Sequence, residues 1–423
     1  MNIIIFEDGL HDNFYPLSMT RPLWELRTGL YSFRERLELF VKKEPRLSGC
    51  GLYYFTREYL APYFREKYPQ VKINDYSVFT KGSELFFINA VKYPSASDFA
   101  IEKNSIVIQD DAPVVARTDG APAEKTDGSI AAMLMKAGLK TIDYQEMYKQ
   151  PESGKKAGYI WDLVDSNDES IKNDVRLAGL KGNGKSRKDV TIIGDGNQVY
   201  IEDGVVFDPY VVIDATAGPV VIGKGSTINS FSRIEGPSFI GSDCIVLGAK
   251  IRSGTSIGTC CRIGGEIEHA IFHGYSNKYH DGFIGHAYIG EWVNMGALTT
   301  NSDLKNNYTN VKVFISGTRK KTGLKKVGCF MGDHVKTSIG TLINTGSSIG
   351  TGAMLVHAGN LTPSHIPPFS WYMNSAIDRF RGLDDFIATC RAAMSRRSVD
   401  VTDNLVTLIN TLYEMTSPEK ERT

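Results

Sequence analysis

Aliphatic residues recur at six-residue spacing through the second half of the chain. A six-residue period fits neither the 3.6-residue repeat of an α-helix nor the two-residue alternation of a β-strand. It is the period of a hexapeptide β-helix, in which each aliphatic side chain points inward and stacks on its counterpart in the next coil. The sequence therefore predicts a left-handed parallel β-helix over residues 190–360. The repeating positions are Ile193, Val199, Val205 and Val211; Ile222, Ile228, Ile234 and Ile240; Ile251, Ile257 and Ile263; and Ile289 and Met295.

The six-residue period fails in two segments, 265–283 and 298–330. A β-helix tolerates insertions as loops on one face, often the face that binds ligands. We therefore expect the β-helix to open at both segments. The first ends near His280, and the second carries a basic turn with Lys320 and Lys321. This turn could bind the phosphates of an acyl-CoA or a nucleotide, or it could be an ordinary solvated charged turn.

The regions flanking the repeats have different patterns. Residues 1–180 contain buried-type strands such as NIIIF and amphipathic helices such as GLYSFRERLELFV, which predicts an α/β domain. The glycine-rich, charged residues 181–189 suit an exposed linker. Two apolar stripes predict helices in the tail, packed on the β-helix or on a neighbouring chain. The predicted domains are therefore 1–180, 190–360 and 361–423.

Charge and composition exclude several classes of function. Lysine plus arginine and aspartate plus glutamate each number 48, so no net field attracts nucleic acid or an anionic membrane. No apolar run is long enough to span a bilayer, and the start MNIIIFEDGLHD lacks the basic segment of a secretory signal. The six cysteines show no CxxC spacing, which favours reduced thiols over disulfides or zinc. We expect a cytoplasmic protein that binds neither nucleic acid nor membrane.

An α/β domain joined to a hexapeptide β-helix resembles the sugar-phosphate nucleotidyltransferases. The opening MNIIIFEDG and the following YPLSMTRPLWELRTG resemble a GlmU-like group of sugar nucleotidyltransferases. In layout the chain is similar to the bifunctional N-acetylglucosamine-1-phosphate uridyltransferase/glucosamine-1-phosphate acetyltransferases. The resemblance implies a Rossmann-like domain that joins a nucleoside triphosphate to a sugar phosphate with Mg²⁺. It also implies an acyl-CoA-dependent acyltransferase β-helix and a homotrimer.

The stretch NKYHDGFIGHAYIGEWVNMGA carries the strongest match to the acetyltransferase pattern. The resemblance implies that His280 is a general base, a role that suits an imidazole because its ordinary pKa is near neutrality. It implies that Asn294 orients the acceptor, and that the backbone at Ala297 and Thr299 approaches the acyl thioester. Phe283 stands where the family has an acceptor-binding tyrosine.

Two departures from the family pattern concern the acceptor. Glu266 and Glu268 occupy the region where the acetyltransferases carry phosphate-binding lysines, and a carboxylate repels a phosphate. Phe283 has no hydroxyl to offer an acceptor. The acceptor is therefore expected to differ from glucosamine 1-phosphate, and another amine or hydroxyl, or no acyl transfer, becomes credible.

The N-terminal phosphate-binding pattern is also altered. Active nucleotidyltransferases have a glycine-rich loop after the first strand, but the loop here, EDGLHDNFYPLSMTRP, contains one glycine. Arg21 and Arg27 could bind phosphate in its place, with a structural ion pair as the alternative.

The magnesium ligands implied by the resemblance are two asparagines. Asn89 stands where the family has a metal-binding aspartate, and Asn167 matches the second ligand, with helix capping as its alternative role. Losing one carboxylate should weaken magnesium binding.

Two classes of function follow from these residues. The first is an enzyme of nucleotide-sugar metabolism with an acyltransferase-like β-helix. The alternative is a catalytically degenerate protein that binds nucleotide sugars and serves as a regulatory scaffold. The altered loop and Asn89 favour the alternative, whereas the pairing of His280 with Asn294 favours an enzyme.

Overall fold

The computed structural model describes residues 1–80, 83–120, 129–148, 156–315, 317–356, 359–380 and 382–417. The chain divides into two compact units. Unit 1 comprises Met1–Phe14, Arg21–Leu26 and Tyr31–Gly158. Unit 2 comprises Tyr15–Thr20, Arg27–Leu30 and Tyr159–Thr423. Residues 418–423 of the predicted tail lie outside the described part.

Unit 1 contains a mixed β-sheet. In its described residues seven strands lie in the order Lys72–Ile73, Gly51–Tyr54, Asn2–Phe6, Glu84–Asn89, Ala112–Asp119, Ser105–Gln109 and Lys140–Asp143. The first four are parallel, and Ala112–Asp119 runs antiparallel to both of its neighbours. Its α-helices are Phe33–Lys43, Ala61–Lys67, Ile130–Lys136 and Tyr144–Met147. The α/β architecture predicted for the N-terminal region is confirmed.

The helix Phe33–Lys43 shows how the sequence sets an element boundary in unit 1. Ser32 begins it with a capping box, in which its side chain accepts from the Glu35 N–H and the Glu35 carboxylate accepts from the Ser32 N–H. Leu37 and Val41, one turn apart, are buried, whereas Lys42 and Lys43 occupy the last turn. These lysines complement the negative end of the helix dipole.

Unit 2 is built on a parallel β-helix, as predicted. Short strands stack in three parallel columns that the chain visits in turn. The first column contains Thr191–Ile193, Val212–Asp214, Arg233–Glu235 and Phe283–Gly285, with Thr300–Asn301 paired to Leu342–Ile343. The second contains Val199–Ile201, Val220–Ile222, Ser238–Ile240, Thr255–Ile257, Ile271–Gly274, Tyr288–Glu291, Cys329–Met331, Ser347–Ile349 and His365–Ile366. The third contains Val206–Phe207, Thr227–Ile228, Asn277–Lys278, Asn294–Met295, Lys336–Thr337, Met354–Val356 and Ser370–Met373.

The longer strands Ile245–Ile251 and Arg262–Glu268 pass from the third column into the first. The repeating aliphatic residues form the continuous core, and Ile222, Ile240, Ile257 and Ile289 are fully buried. Ile193 is the exception, because it lies in the first strand with its side chain 41% exposed, while its neighbour Ile192 packs on the core.

The prediction that the β-helix opens at 265–283 is wrong. Strands continue through this segment, and Ile267, Phe272 and Ile284 are fully buried. The period is hidden because two turns are shorter than six residues and because a lysine, Lys278, occupies an inward position. His280 therefore lies on a turn between regular strands.

The second break is a true insertion. An antiparallel hairpin of Lys312–Ile315 and Thr318–Lys321 lies between Thr300–Asn301 and Cys329–Met331, after which the columns resume. This outcome confirms the loop predicted at 298–330.

The segments flanking the β-helix pack on it within unit 2. Helices Ile160–Asp165 and Asn167–Ala178 belong to unit 2, although the sequence pattern groups them with residues 1–180. The predicted linker packs on the first coil, where the Asn183 side chain exchanges hydrogen bonds of 2.8 and 3.0 Å with the backbone of Ile201. The tail forms helices Asp384–Ser395 and Asp403–Met415, whose apolar stripes are buried. In the described part of the chain, no helix is long and apolar enough to cross a membrane.

Candidate functional sites

A buried polar cluster follows the parallel strands of unit 1 at their carboxyl ends. Asp8 comes just after Asn2–Phe6, and Asn89 ends the neighbouring strand. One carboxylate oxygen of Asp8 accepts from the Lys156 ammonium at 2.6 Å and from the Asn89 amide at 2.8 Å. All three side chains are almost fully buried. In open α/β sheets, ligands bind at this edge.

A second buried carboxylate fastens the segment 21–26 to the same edge. Glu7 accepts hydrogen bonds from the Leu23 N–H at 2.7 Å and from the Thr56 hydroxyl at 2.8 Å. It also pairs with Arg57 at 3.2 Å, and Arg57 donates to the carbonyl of Arg21 at 2.9 Å. Burial opposes the charge of Arg57, but Glu7, Tyr59 and Asp12 together outweigh it and raise the arginine pKa. Arg21, predicted to bind phosphate, thus lies at this edge with its side chain buried.

The second predicted phosphate ligand, Arg27, belongs to unit 2. Its guanidinium donates to the carbonyl of Leu30 and lies 6.0 Å from the ring centroid of Phe239. Its backbone N–H donates to the Tyr288 hydroxyl at 2.8 Å. These contacts hold Arg27 against the β-helix, which agrees with a structural role.

The two asparagines predicted as magnesium ligands do not fit a metal ion. Asn89 uses its amide on Asp8 and its oxygen on the Val91 N–H at 3.2 Å, and the lysine on Asp8 stands where a cation would bind. Asn167 is fully buried in unit 2, where it donates to the Gly254 carbonyl at 2.8 Å and accepts from the Gly29 N–H at 2.7 Å. Among the described residues, no group of three or more histidine, cysteine or carboxylate side chains could hold a metal.

The turn that carries His280 is held from inside the β-helix. The fully buried Lys278 donates hydrogen bonds to the backbone carbonyls of His280 and Asp281. Burial lowers the pKa of Lys278 to about 8, despite the nearby Asp281 carboxylate, which acts in the opposite direction. The His280 imidazole is exposed, with the ring of Tyr279 at 5.8 Å. An exposed imidazole on a braced turn can reach a bound acceptor.

Asn294 projects outward, as predicted, and belongs to a polar row on the third column. In this row Arg262, Asn277, Asn294 and Lys336 are register partners on successive coils. The residues that follow them, such as Met295, point into the core. The Asn277 amide donates to the Asn294 oxygen at 3.2 Å.

A cavity of ≈290 Å³ lies beside this row, against the end of helix Asp384–Ser395. Its walls include Asn277, Trp292, Asn294, Lys336, Arg396 and Arg397.

The remaining predicted residues have different surroundings. Thr299 is fully buried, and its hydroxyl lies 2.8 Å from that of Thr337, so its side chain is inside the β-helix. The Ala297 carbonyl accepts from the Gly340 N–H at 2.8 Å. Phe283 is half-buried.

Lys320 and Lys321 are exposed on the inserted hairpin. Their exposure to solvent is compatible with either a phosphate-binding site or an ordinary charged turn.

Sequence reasoning missed four polar residues near the predicted site: Asn277, Lys278, Lys336 and Arg397. Lys278 had a readable signal, because it lies six residues before the buried Ile284 and therefore takes an inward position. Arg397 had none, since its place depends on where the tail helix packs.

Residues 3–181 match the model of a family described as sugar nucleotidyl transferase. A bifunctional sugar-1-phosphate nucleotidylyltransferase/acetyltransferase of Sulfurisphaera tokodaii is 30% identical over 237 residues, which cover 55% of this chain and 50% of that protein. A bifunctional protein GlmU of Xylella fastidiosa is 27% identical over 173 residues, covering 40% of this chain and 34% of the relative.

A bifunctional protein GlmU of Paraburkholderia xenovorans is 27% identical over 211 residues, which cover 46% of this chain and 46% of that protein. The chain thus spans half or less of the length of these relatives. A solved Bacillus cereus structure aligns with 56% of this chain and all of its own at 16% identity, but its TM-score of 0.23 supports no inference. The resemblance inferred from the sequence is confirmed, and the relative from Sulfurisphaera tokodaii is a transferase by name.

Proposed function

We propose that this chain, whose residues 3–181 match the sugar nucleotidyl transferase family, is a sugar-1-phosphate nucleotidyltransferase with an acyltransferase-like β-helix. The observation that carries the first activity is the cluster of Asp8, Asn89 and Lys156 at the carboxyl edge of the parallel strands. The substrates would be a nucleoside triphosphate and a sugar phosphate.

In the nucleotidyl step, a phosphate oxygen of the sugar attacks the α-phosphorus in line. A new P–O bond forms, and the bond to the β-phosphate breaks to release pyrophosphate. Arg21 and Lys156 would reduce the repulsion between the anions. Related enzymes use Mg²⁺ to neutralise charge, but Asn89 and Asn167 do not fit it here, so no step is assigned to the metal.

The second activity would use the turn of His280. An amine or hydroxyl acceptor attacks the carbonyl carbon of an acyl-CoA, His280 takes the acceptor proton, and the C–S bond breaks to release the thiol. Asn294 would orient the acceptor. The support is geometric, since Lys278 braces the turn and the imidazole is exposed. Lys320 and Lys321 would attract the CoA phosphates.

We further propose a cytoplasmic homotrimer, since closed symmetry is the default for soluble oligomers and hexapeptide β-helices resembling this one form trimers. Sedimentation equilibrium at micromolar concentration tests the assembly. A monomer would remove any acyl-transfer site shared between chains.

The nucleotidyl proposal is tested by pyrophosphate release from a panel of nucleoside triphosphates and sugar 1-phosphates. We expect release that needs both substrates and that falls in Arg21→Ala, with Arg46→Ala as an exposed control in the same unit. Nucleotide-sugar binding without pyrophosphate release from any pair would favour the regulatory scaffold.

A further inference from the structure

The cavity beside Asn294 has an unusual distribution of charge. Its β-helix wall includes three residues of the polar row, Asn277, Asn294 and Lys336, and the fourth, Arg262, is the register partner of Asn277 on the preceding coil. Neighbouring strands are about 4.8 Å apart, so each side chain of the row is within reach of the next. An amide between two cations can donate to an anion that both cations attract.

The tail contributes further positive charge from the opposite side. Arg396 and Arg397 follow helix Asp384–Ser395 and line the same cavity. Arg397 donates to the Asn277 oxygen at 3.1 Å, so its guanidinium is directed at the row. Its Nε is buried and has no hydrogen-bond partner among the described residues.

Proximity of these cations is unfavourable in the absence of an anion. Burial and the charges of Arg262 and Arg396 lower the pKa of Arg397. Burial also lowers the pKa of Lys336 to about 8, and its ammonium donates to the Trp292 carbonyl at 2.6 Å.

Asp333 is the acidic neighbour that offsets part of the Lys336 charge. Both of its oxygens already accept hydrogen bonds, one from the Thr20 hydroxyl at 2.6 Å and the other from the Glu291 N–H at 2.7 Å. With both oxygens engaged in these bonds, Asp333 does not restore the ordinary pKa of Lys336.

We propose that this cavity binds a phosphate-type oxyanion carried by a small molecule. Arg397 offers a guanidinium with a buried, unused N–H, which suits the charge-assisted bonds that arginine forms with phosphate. Lys336 and Arg396 add charge, and the two asparagines supply neutral donors and acceptors. The volume of ≈290 Å³ leaves room for a ring-sized group beside the anion, against the stacked rings of Tyr275 and Trp292.

The proposal goes beyond the proposed function, because it requires binding and no turnover. Isothermal titration at pH 7 and low salt tests it with three probes: inorganic phosphate, a hexose 1-phosphate and the free hexose. We expect both phosphates to bind and the free hexose not to bind. Because unit 1 is proposed to bind sugar 1-phosphates too, only binding that Arg397→Gln weakens is assigned to this cavity. Within that binding, a tighter hexose 1-phosphate would identify a phosphorylated sugar as the source of the anion, and equal binding would identify the free ion.

Arg397→Gln should weaken phosphate binding about 10-fold, as expected for the loss of one charge-assisted hydrogen bond. Arg391→Gln is the matched control, since Arg391 lies on helix Asp384–Ser395, shortly before Arg397, but donates to the Val401 carbonyl. Equal affinity in these two variants, or no binding of either phosphate by the wild-type protein at millimolar concentration, would overturn the proposal.

A second variant keeps the test decisive if Arg397→Gln does not fold. Asn294→Asp has nearly the same shape but places a negative charge in the cavity, so it should weaken phosphate binding at least as much. Asn197→Asp, on an exposed turn of the first coil, is its control. Unchanged affinity in Asn294→Asp would refute an anion at this position.

Discussion

The Nζ of Lys278 donates a hydrogen bond to the carbonyl oxygen of Asp281 at 3.0 Å from inside the β-helix. Its register partner on one neighbouring coil is the fully buried, aliphatic Ile263. An ammonium is tolerated there because backbone carbonyls of the adjoining turn replace part of its hydration. The result couples the core to the turn that carries His280.

This arrangement predicts a pH-dependent contribution to stability. The pKa of Lys278 falls from 10.5 to about 8 in the folded protein, so the unfolded state binds more protons between these values. The contribution of Lys278 to the free energy of unfolding should therefore rise as pH increases from about 8 to about 10.5. Below pH 8 the penalty for the buried charge is fully present.

Chemical denaturation of wild type and Lys278→Met at several pH values measures this contribution. Subtracting the free energy of unfolding of Lys278→Met from that of wild type removes the contributions of the other titrating groups, including Lys336. This difference should increase with rising pH. A difference that stays constant from pH 7 to pH 10.5 would contradict the shifted pKa.

His280→Asn should reduce acyl transfer by roughly 100-fold or more while leaving the fold intact, because a general base is lost. Acyl-CoA turnover with the identified acceptor, with His11→Asn as the control, measures the effect. A fully active His280→Asn protein would exclude His280 as the base.

The buried pair of Asp8 and Lys156 predicts strong coupling in a double-mutant cycle. Lys156→Met should destabilise unit 1 by about 3–5 kcal/mol, because it leaves the Asp8 carboxylate buried without its partner. The double variant Asp8→Asn/Lys156→Met should lose much less free energy of unfolding than the sum of the losses in the two single variants. Denaturant unfolding followed in unit 1 provides the values.

The exposed pair of Lys140 and Glu102, at 2.8 Å, is the control for this cycle. Lys140→Met should change the free energy of unfolding only slightly, because solvent screens this pair. Additive effects of the Asp8 and Lys156 substitutions would show that the two groups do not depend on each other.

The double variant Lys320→Ala/Lys321→Ala should weaken acyl-CoA binding, and the loss should be larger at low salt than at high salt. The reason is that exposed lysines attract phosphates through long-range charge. The pair Lys42→Ala/Lys43→Ala, on the helix Phe33–Lys43, is the matched control. Equal affinity in both double variants at low salt would favour an ordinary charged turn.

Most of unit 2 was predictable because a β-helix is built from contacts between neighbouring coils. Ile222, Ile228, Ile234 and Ile240 recur at equal spacing, and each is fully buried. The prediction failed where the spacing changed, as between Ile263 and Ile267, since a period can be read only while every turn has the same length.

The candidate sites were less predictable than the core. Asn294 was expected to project outward, and it does, because strand alternation follows directly from the position of Met295. The role expected of Asn167 does not fit its surroundings, because its amide is used on the backbone of Gly254 and Gly29, residues far from it in sequence. Whether an asparagine binds a metal or the backbone depends on contacts with residues distant in sequence, which a local sequence pattern does not predict.

The sequence by itself determined the β-helix, since stacking of aliphatic residues at equal spacing is a local rule repeated along the chain. Only the tertiary structure decided which polar residues meet. Asn294 and Lys336 are register partners although the inserted hairpin separates them, and the tail brings Arg397 to Asn277. The physical reason is that insertion length and helix packing decide which side chains become neighbours across coils, and these depend on the whole folded chain.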